Sequence, residues 1–360
     1  MHRLLSTALL TMSLLILAAA PAAAHGRGSD ASNFESRITE TPSLDGLEWR
    51  VINSDEYLQL TNASSEEVAI PGYQGEPYLR IGPDGVFRNL NSQATYLNED
   101  RFAQTTIPAD VDLEADPEWE QLSDGSSYAW HDHRIHWMAD TDPPAVKAAP
   151  DETHLVTAWT VPFEVGGEEH EVAGDLTWVP GGSALLWLLP ALLLVSIPVA
   201  LAVRRTEPDV DAARWPGLSR VAGTVLLAIS VLNLIHLVDD LFATPVPISQ
   251  SAFSAIQTAF FIAIAVFGAV ATIRGRDGAF TALGVGAGAI FIGQGLLYIS
   301  VLSASQTASI FPGWLTRAAI AASVAQILPL GVAAVVGTRA LLPSLEDDWD
   351  PEPTIAEGAA

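Results

Sequence analysis

Cysteine is absent from all 360 residues. No disulfide can therefore hold any part of the fold. Thiolate metal sites, thiol nucleophiles and blue-copper centres are excluded with it, since each needs a cysteine sulfur. Methionine is almost absent too: Met138 is the only one beyond the first 24 residues, which excludes a methionine-rich copper(I) site. Lysine occurs once, as Lys147. No nucleophile elbow, zinc-protease helix motif, phosphate-binding glycine loop or pair of acid/base carboxylates stands in a fitting context, so an enzyme is the least favoured class.

Positive charge is scarce. The formal net charge is −25, and from His25 to Gly182 there are 30 acidic residues against 8 basic ones. Such a surface repels nucleic acid and attracts cations, and its plain reading is a solvated face. Asp110, Asp112, Glu114, Asp116, Glu118 and Glu120 recur at every second position. They read as a solvated loop, because the glycine at the sharp turn of an EF-hand calcium loop is missing.

What the chain does have is organised in blocks. Met1, His2 and Arg3 precede an apolar run, Leu4 to Leu17, and then small residues to Ala24. That pattern predicts a signal peptide over 1–24, cleaved between Ala24 and His25. Residues 25–36 read as a flexible leader. Over 37–180, short β-like runs alternate with turn residues: Leu47–Ile52, Tyr57–Thr61, Val68–Ile70, Tyr78–Ile81, Val86–Leu90, Tyr128–Trp137, Thr153–Val165 and Glu168–Val179. Gly166-Gly167 between the last two predicts a hairpin. The spacing suggests an extracytoplasmic antiparallel β-sandwich, immunoglobulin-like but without the disulfide.

Beyond Gly182 the composition turns apolar. Spans at Ala184–Val203, Val221–Val238, Ala252–Ile273, Ala279–Leu302 and about 318–342 predict a five-helix transmembrane domain over 184–342. Arg204, Arg205, Arg214, Arg220, Arg274, Arg276 and Arg339 fall on one side of it and only Arg317 on the other. The positive-inside rule then expects a multi-pass plasma-membrane protein with the β-domain outside and the C-terminus cytoplasmic. Residues 343–360 read as a disordered acidic tail. Gly284, Gly286, Gly288, Gly293 and Gly295 predict a close helix–helix contact.

Two groups of residues could carry chemistry. In Trp130-His131-Asp132-His133-Arg134-Ile135-His136-Trp137, an extended strand would set His131 and His133 on one face, about 7 Å apart along the chain. Two imidazoles so placed could share copper(II) or zinc. His136 would then need a bulge to join them, and His25, as a free N-terminus, could add a chelating pair. The other reading is a tryptophan-flanked core strand with a structural polar network. The second group is Asn233, His236, Asp239 and Asp240 at one end of the second span, where His236 and Asp240 share a helical face. Ionisable residues at such a depth are functional candidates by default.

The phrases Pro71-Gly72-Tyr73, Gly75-Glu76-Pro77-Tyr78, Ala94-Thr95-Tyr96-Leu97-Asn98 and Trp130-His131-Asp132-His133-Arg134 stand in an order that resembles a group of actinobacterial-type membrane proteins. These share a signal peptide, an extracytoplasmic β-domain and C-terminal helices, and the resemblance implies that architecture and no particular activity. A more distant likeness, through His25, is to periplasmic copper-resistance β-sandwich proteins, and it implies copper binding. Three functions are therefore expected in order. The first is a non-enzymatic envelope or binding protein with a protein partner or a second copy of itself. The second is a copper(II)/zinc-binding protein, and the third a transport or sensing unit coupling the β-domain to the helices.

Overall fold

The computed structural model describes residues 31–99, 101–139, 141–205, 216–245 and 248–339. The predicted signal peptide, its cleavage point, residues 25–30 of the leader including His25, and the acidic tail lie outside the described residues.

Among the described residues ten strands form: β1 (Phe34–Glu40), β2 (Leu47–Ile52), β3 (Tyr57–Asn62), β4 (Val68–Pro71), β5 (Pro77–Gly82), β6 (Gly85–Asn89), β7 (Trp119–Ser123), β8 (Ser127–Trp130), β9 (His154–Val165) and β10 (Glu168–Trp178). They make a seven-stranded antiparallel sheet in the order β1-β10-β9-β4-β5-β6-β7 and a three-stranded sheet β2-β3-β8. Both feed one hydrophobic cluster. Leu58, Leu60 and Trp130 come from the smaller sheet; Val68, Ile81, Val161, Phe163, Val172 and Leu176 come from the larger. Each such side chain contributes about 1.5–3 kcal/mol by leaving water, which is how a domain without disulfides holds together. Gly166 and Gly167 close the β9–β10 hairpin with φ of 62° and 81°, the left-handed pair that a two-residue turn needs. On β10, Gly174 lies directly under Trp159, so that any side chain there would run into the indole.

Three sequence expectations are corrected. Strand β1 begins at Phe34, within the predicted leader, and the Phe34 ring packs edge-on against Trp178, 5.1 Å between centroids. The acidic stretch is not loop throughout: Trp119–Ser123 is an edge strand on β6, with Glu120 bound to Arg88 at 2.6 Å. The strand expected over Tyr128–Trp137 stops at Trp130, for reasons that belong to the site below. Asn62, which opens an Asn-Ala-Ser triplet, serves the fold. Its side chain is buried and donates to the carbonyls of Glu66 (2.7 Å) and Ile81 (2.8 Å).

Two short helices, α1 (Gln93–Leu97) and α2 (Pro144–Ala148), interrupt the strands. After them come α3 (Leu185–Arg204), α4 (Pro216–Leu232), α5 (Leu234–Phe242), α6 (Ile248–Ile273), α7 (Ala279–Ile290), a π-helical turn (Phe291–Leu296), a 3-10 turn (Ile299–Leu302), α8 (Gly313–Ala325) and α9 (Ile327–Arg339). Among the described residues, five stretches are long and apolar enough to cross a membrane: Leu185–Arg204, Gly217–Phe242, Ser251–Ile273, Ala279–Leu296 and Gly313–Thr338. Leu186, Leu189, Leu193, Leu194 and Ile197 stand exposed along α3, a surface suited to acyl chains and not to water.

The chain divides into two compact units. One contains the strands together with Ile235–Thr258 and Leu297–Ile320; the other contains Leu188–Leu234, Ala259–Leu296 and the chain from Ala321. The second unit is a helical core around Leu226, Ala265, Leu283, Ala287 and Leu330. Gly286 meets Leu226 and Ala265, and Gly293 meets the Phe261 ring. Those two glycines let backbones approach closely, as small residues do in membranes, whereas Gly288 faces open space.

Candidate functional site

The first unit holds His131, His133 and His136 and, of the second group, His236, Asp239 and Asp240. In the strand-bearing part, Asp132 explains why β8 ends where it does. Its carboxylate is fully buried and accepts from Trp130 Nε1 (2.8 Å), Arg134 Nε (2.7 Å), Arg134 Nη2 (2.6 Å) and the Arg134 amide (3.1 Å). The Ile135 amide then closes a turn on the Asp132 carbonyl at 3.0 Å. Aspartate here competes with the sheet ladder through its own side chain. Burial pulls the Asp132 carboxyl upward, but the Arg134 guanidinium and the hydrogen bonds outweigh it and hold the group below the usual carboxylate range. Arg134 also lies over the Tyr73 ring at 5.2 Å, and Tyr73 accepts from the His133 amide at 3.0 Å while donating to Asn98.

The turn rearranges the histidines. His131 is buried, its Nδ1 donates to the Glu56 carbonyl at 3.0 Å, and its ring packs on Tyr57. His133 is brought instead toward His136, with ring centroids 5.3 Å apart. His136 Nε2 lies 2.9 Å from Met138 Sδ. Burial, with Arg101 and then the other two imidazoles nearby, pushes His136 down to about 3. The strand expected to carry His131 and His133 on one face ends at Trp130, and the turn that follows sets His133 beside His136. Among the described residues, no group of three or more His, Asp or Glu side chains is placed to hold a metal ion.

Three residues of the second group, His236, Asp239 and Asp240, sit on α5, within the span Gly217–Phe242. His236, Asp239 and Asp240 line a pocket with Tyr298, Val301, Thr307, Ala308, Thr316 and Ile320; it has room for about one water molecule. His236 and Asp239 are buried. The His236 ring stacks on Tyr298, 5.2 Å between centroids and 2° from parallel. Asp239 accepts from Ser309 Oγ at 2.8 Å and from the Ile310 amide at 3.0 Å. His236 Nε2 and Asp240 Oδ2 are buried without a hydrogen-bond partner. Among the described residues every ion pair lies in the strand-bearing part, and none reaches Asp239 or Asp240. Arg317 is committed elsewhere, donating to the carbonyls of Val301 (3.2 Å), Ala304 (2.8 Å) and Ser305 (3.0 Å).

Asn233, grouped with these residues by sequence, belongs to the other compact unit. It donates to the Ile229 carbonyl at 2.8 Å and to Ser323 Oγ at 2.9 Å, and so ties helices together. Tyr298, Thr307 and Thr316 were not foreseen, because only the fold brings those distant positions to α5.

The pocket and the strands share a unit through specific contacts. Asn53 Nδ2 donates to Thr244 Oγ1 at 2.9 Å, just beyond α5. Asn53 sits in the left-handed region at φ 54°, tolerated by asparagine at a tight turn. Asn33 Oδ1 accepts from the Ser305 amide at 2.8 Å, and Ser32 forms a β-bridge with Gln306.

Comparison with protein-family models, curated proteins and solved structures finds no match to this chain. Its function rests on the geometry alone.

Proposed function

We propose that this is a non-enzymatic, membrane-anchored binding protein of the cell envelope, in which the β-domain and the helix ends carrying His236, Asp239 and Asp240 act as one body. The observation that carries this reading is the trio of contacts Asn53–Thr244, Asn33–Ser305 and Ser32–Gln306. They bind strands to the segments lining the pocket. A domain that served only as a tethered head would need no such fastening. What the β-domain binds, an envelope partner or a second copy of the chain, would thereby be felt at the pocket. The bilayer is the plasma membrane, the β-domain faces outward and the C-terminus is cytoplasmic, a reading supported by the arginines that flank the spans. The shared hydrophobic core supports a sandwich for the two sheets, while the immunoglobulin-like variety rests on strand number alone.

Hydrogen exchange of the full chain in nanodiscs tests the coupling. Asp239→Asn removes the charge that holds Ser309 and Ile310. Faster exchange is expected at 305–311 and also at 32–36, where the chain enters β1. Loosening confined to 305–311, with 32–36 unchanged, would mean that the β-domain is an independent anchor.

A second reading, copper(II) or zinc binding, is supported by the proximity of His133 to His136. Isothermal titration of the full chain with each metal, repeated on His133→Ala with His136→Ala, tests it. A binding constant unchanged by both substitutions would end it.

A further inference from the structure

We propose that His133, His136 and Met138 bind one copper(I) ion on the β-domain, through two imidazole nitrogens and a thioether. The inference rests on the second reading above, that the His133–His136 pair takes a metal, and names the third ligand and the ion it selects. Met138 is the only sulfur beyond the first 24 residues. The fold sets it against a buried imidazole, with His136 Nε2 2.9 Å from its Sδ. As a hydrogen bond that contact is poor, because a thioether is a weak acceptor, and it leaves a buried ring nitrogen badly satisfied. As a pair of electron donors facing one another, nitrogen and sulfur are well placed for a soft cation between them.

The spacing fits a shared ion. Imidazole nitrogens about 2 Å from one metal place their ring centres about 5–6 Å apart, and those of His133 and His136 are 5.3 Å apart. Tyr73 stacks on His133 at 5.8 Å, 11° from parallel, and accepts from its amide, so that this ring and its backbone are both held. Met138 is unbranched, with three rotatable bonds to bring its sulfur into range. His133 and Met138 are each partly exposed, which leaves the ion a way in. The donor set then chooses the ion. No carboxylate or third imidazole among the described residues completes a metal group here. Zinc therefore finds only half of its usual four nitrogen, oxygen or thiolate ligands, and calcium and magnesium find none of their oxygens. Two imidazoles and a thioether form a soft, neutral set of three, and soft sulfur ligands select copper(I). Burial, then Arg101 and the neighbouring imidazoles, push His136 down to about 3, so protons do not compete for its Nε2 near neutral pH.

The test uses the full chain in nanodiscs under anaerobic conditions. Copper(I) is delivered as its bicinchoninate complex, and loss of that complex's absorbance reports transfer to the protein. Met138→Leu should weaken copper(I) binding by about tenfold or more, a difference of about 1.4 kcal/mol, and leave the zinc constant from isothermal titration unchanged. His133→Ala should weaken the binding of both metals. Equal copper(I) constants in wild type and Met138→Leu would overturn the inference; the His133–His136 reading would survive that result if zinc binding still depended on the two histidines. Failure of the wild type to take copper(I) from the chelator would overturn it as well. X-ray absorption at the copper edge of the loaded wild type decides the case if Met138→Leu fails to fold. A sulfur neighbour at about 2.3 Å is expected, and a shell of nitrogen and oxygen alone would overturn the proposal.

Discussion

Asp132 and the Asp239–Asp240 pair are buried carboxylates solved in opposite ways. Asp132 receives a guanidinium in bidentate geometry, an indole N–H and a backbone amide. Its charge is met entirely from within the chain, and every donor comes from within two residues. Asp239 receives a hydroxyl and one amide, and Asp240 keeps an oxygen with no partner. The first arrangement is finished and needs nothing further. The second leaves one carboxylate oxygen without a donor. Burial alone therefore does not mark a functional carboxylate; what distinguishes one is whether the fold supplies its counter-charge.

The sharpest way to break this contrast is Arg134→Met. It strands the Asp132 charge in the core and should cost about 3–5 kcal/mol, read as a drop in the denaturation midpoint of the full chain. A loss below about 1 kcal/mol would mean that the pair is not what ends β8. Asp240→Asn should act with the opposite sign. At pH 8 it relieves an uncompensated charge and should raise stability by about 1–3 kcal/mol. Destabilisation there would show that the pocket's charge is met by the fold after all.

A weaker effect separates the two regions by pH. His136 has its folded value depressed from 6.5 to about 3. Below 6.5 the unfolded chain binds a proton that the folded chain refuses, so stability falls with pH down to about 3, by at most about 1.4 kcal/mol per pH unit. Asp132, also depressed, contributes stability above the ordinary carboxylate range that is lost only as pH falls through its own lower value. His136→Asn should flatten the dependence between pH 6 and pH 4, and an unchanged slope would place its source elsewhere. Smallest of all is Glu48→Gln. Its pair with Arg50 is exposed, and the midpoint should move by less than about 0.5 kcal/mol.

Much of the architecture was legible because its signals are local. Alternating apolar residues gave most strands, Gly166-Gly167 gave the hairpin, and uninterrupted apolar runs gave the five spans to within a few residues. Two strands were hidden. Phe34–Glu40 and Trp119–Ser123 lie at the two edges of the larger sheet, where charged residues replace the alternation. The end of β8 was hidden for a different reason: Trp130, Ile135 and Trp137 keep an apolar rhythm through the segment, while the Asp132 side chain captures Arg134 and turns the backbone. That turn sets His133 beside His136. In the pocket, His236, Asp239 and Asp240 were visible from their depth in a span. Their partners at 298, 307 and 316 arrive through tertiary packing, and Asn233 was claimed by Ser323.

The claim on which the rest depends is that the β-domain is fastened to the helix ends. The absence of native cysteine gives a clean background for testing it. Asn53→Cys with Thr244→Cys, treated in nanodiscs with a short bis-maleimide, should yield a cross-link joining the two positions, identified by mass spectrometry after proteolysis. Single alkylation of both thiols, with no peptide joining them, would contradict it.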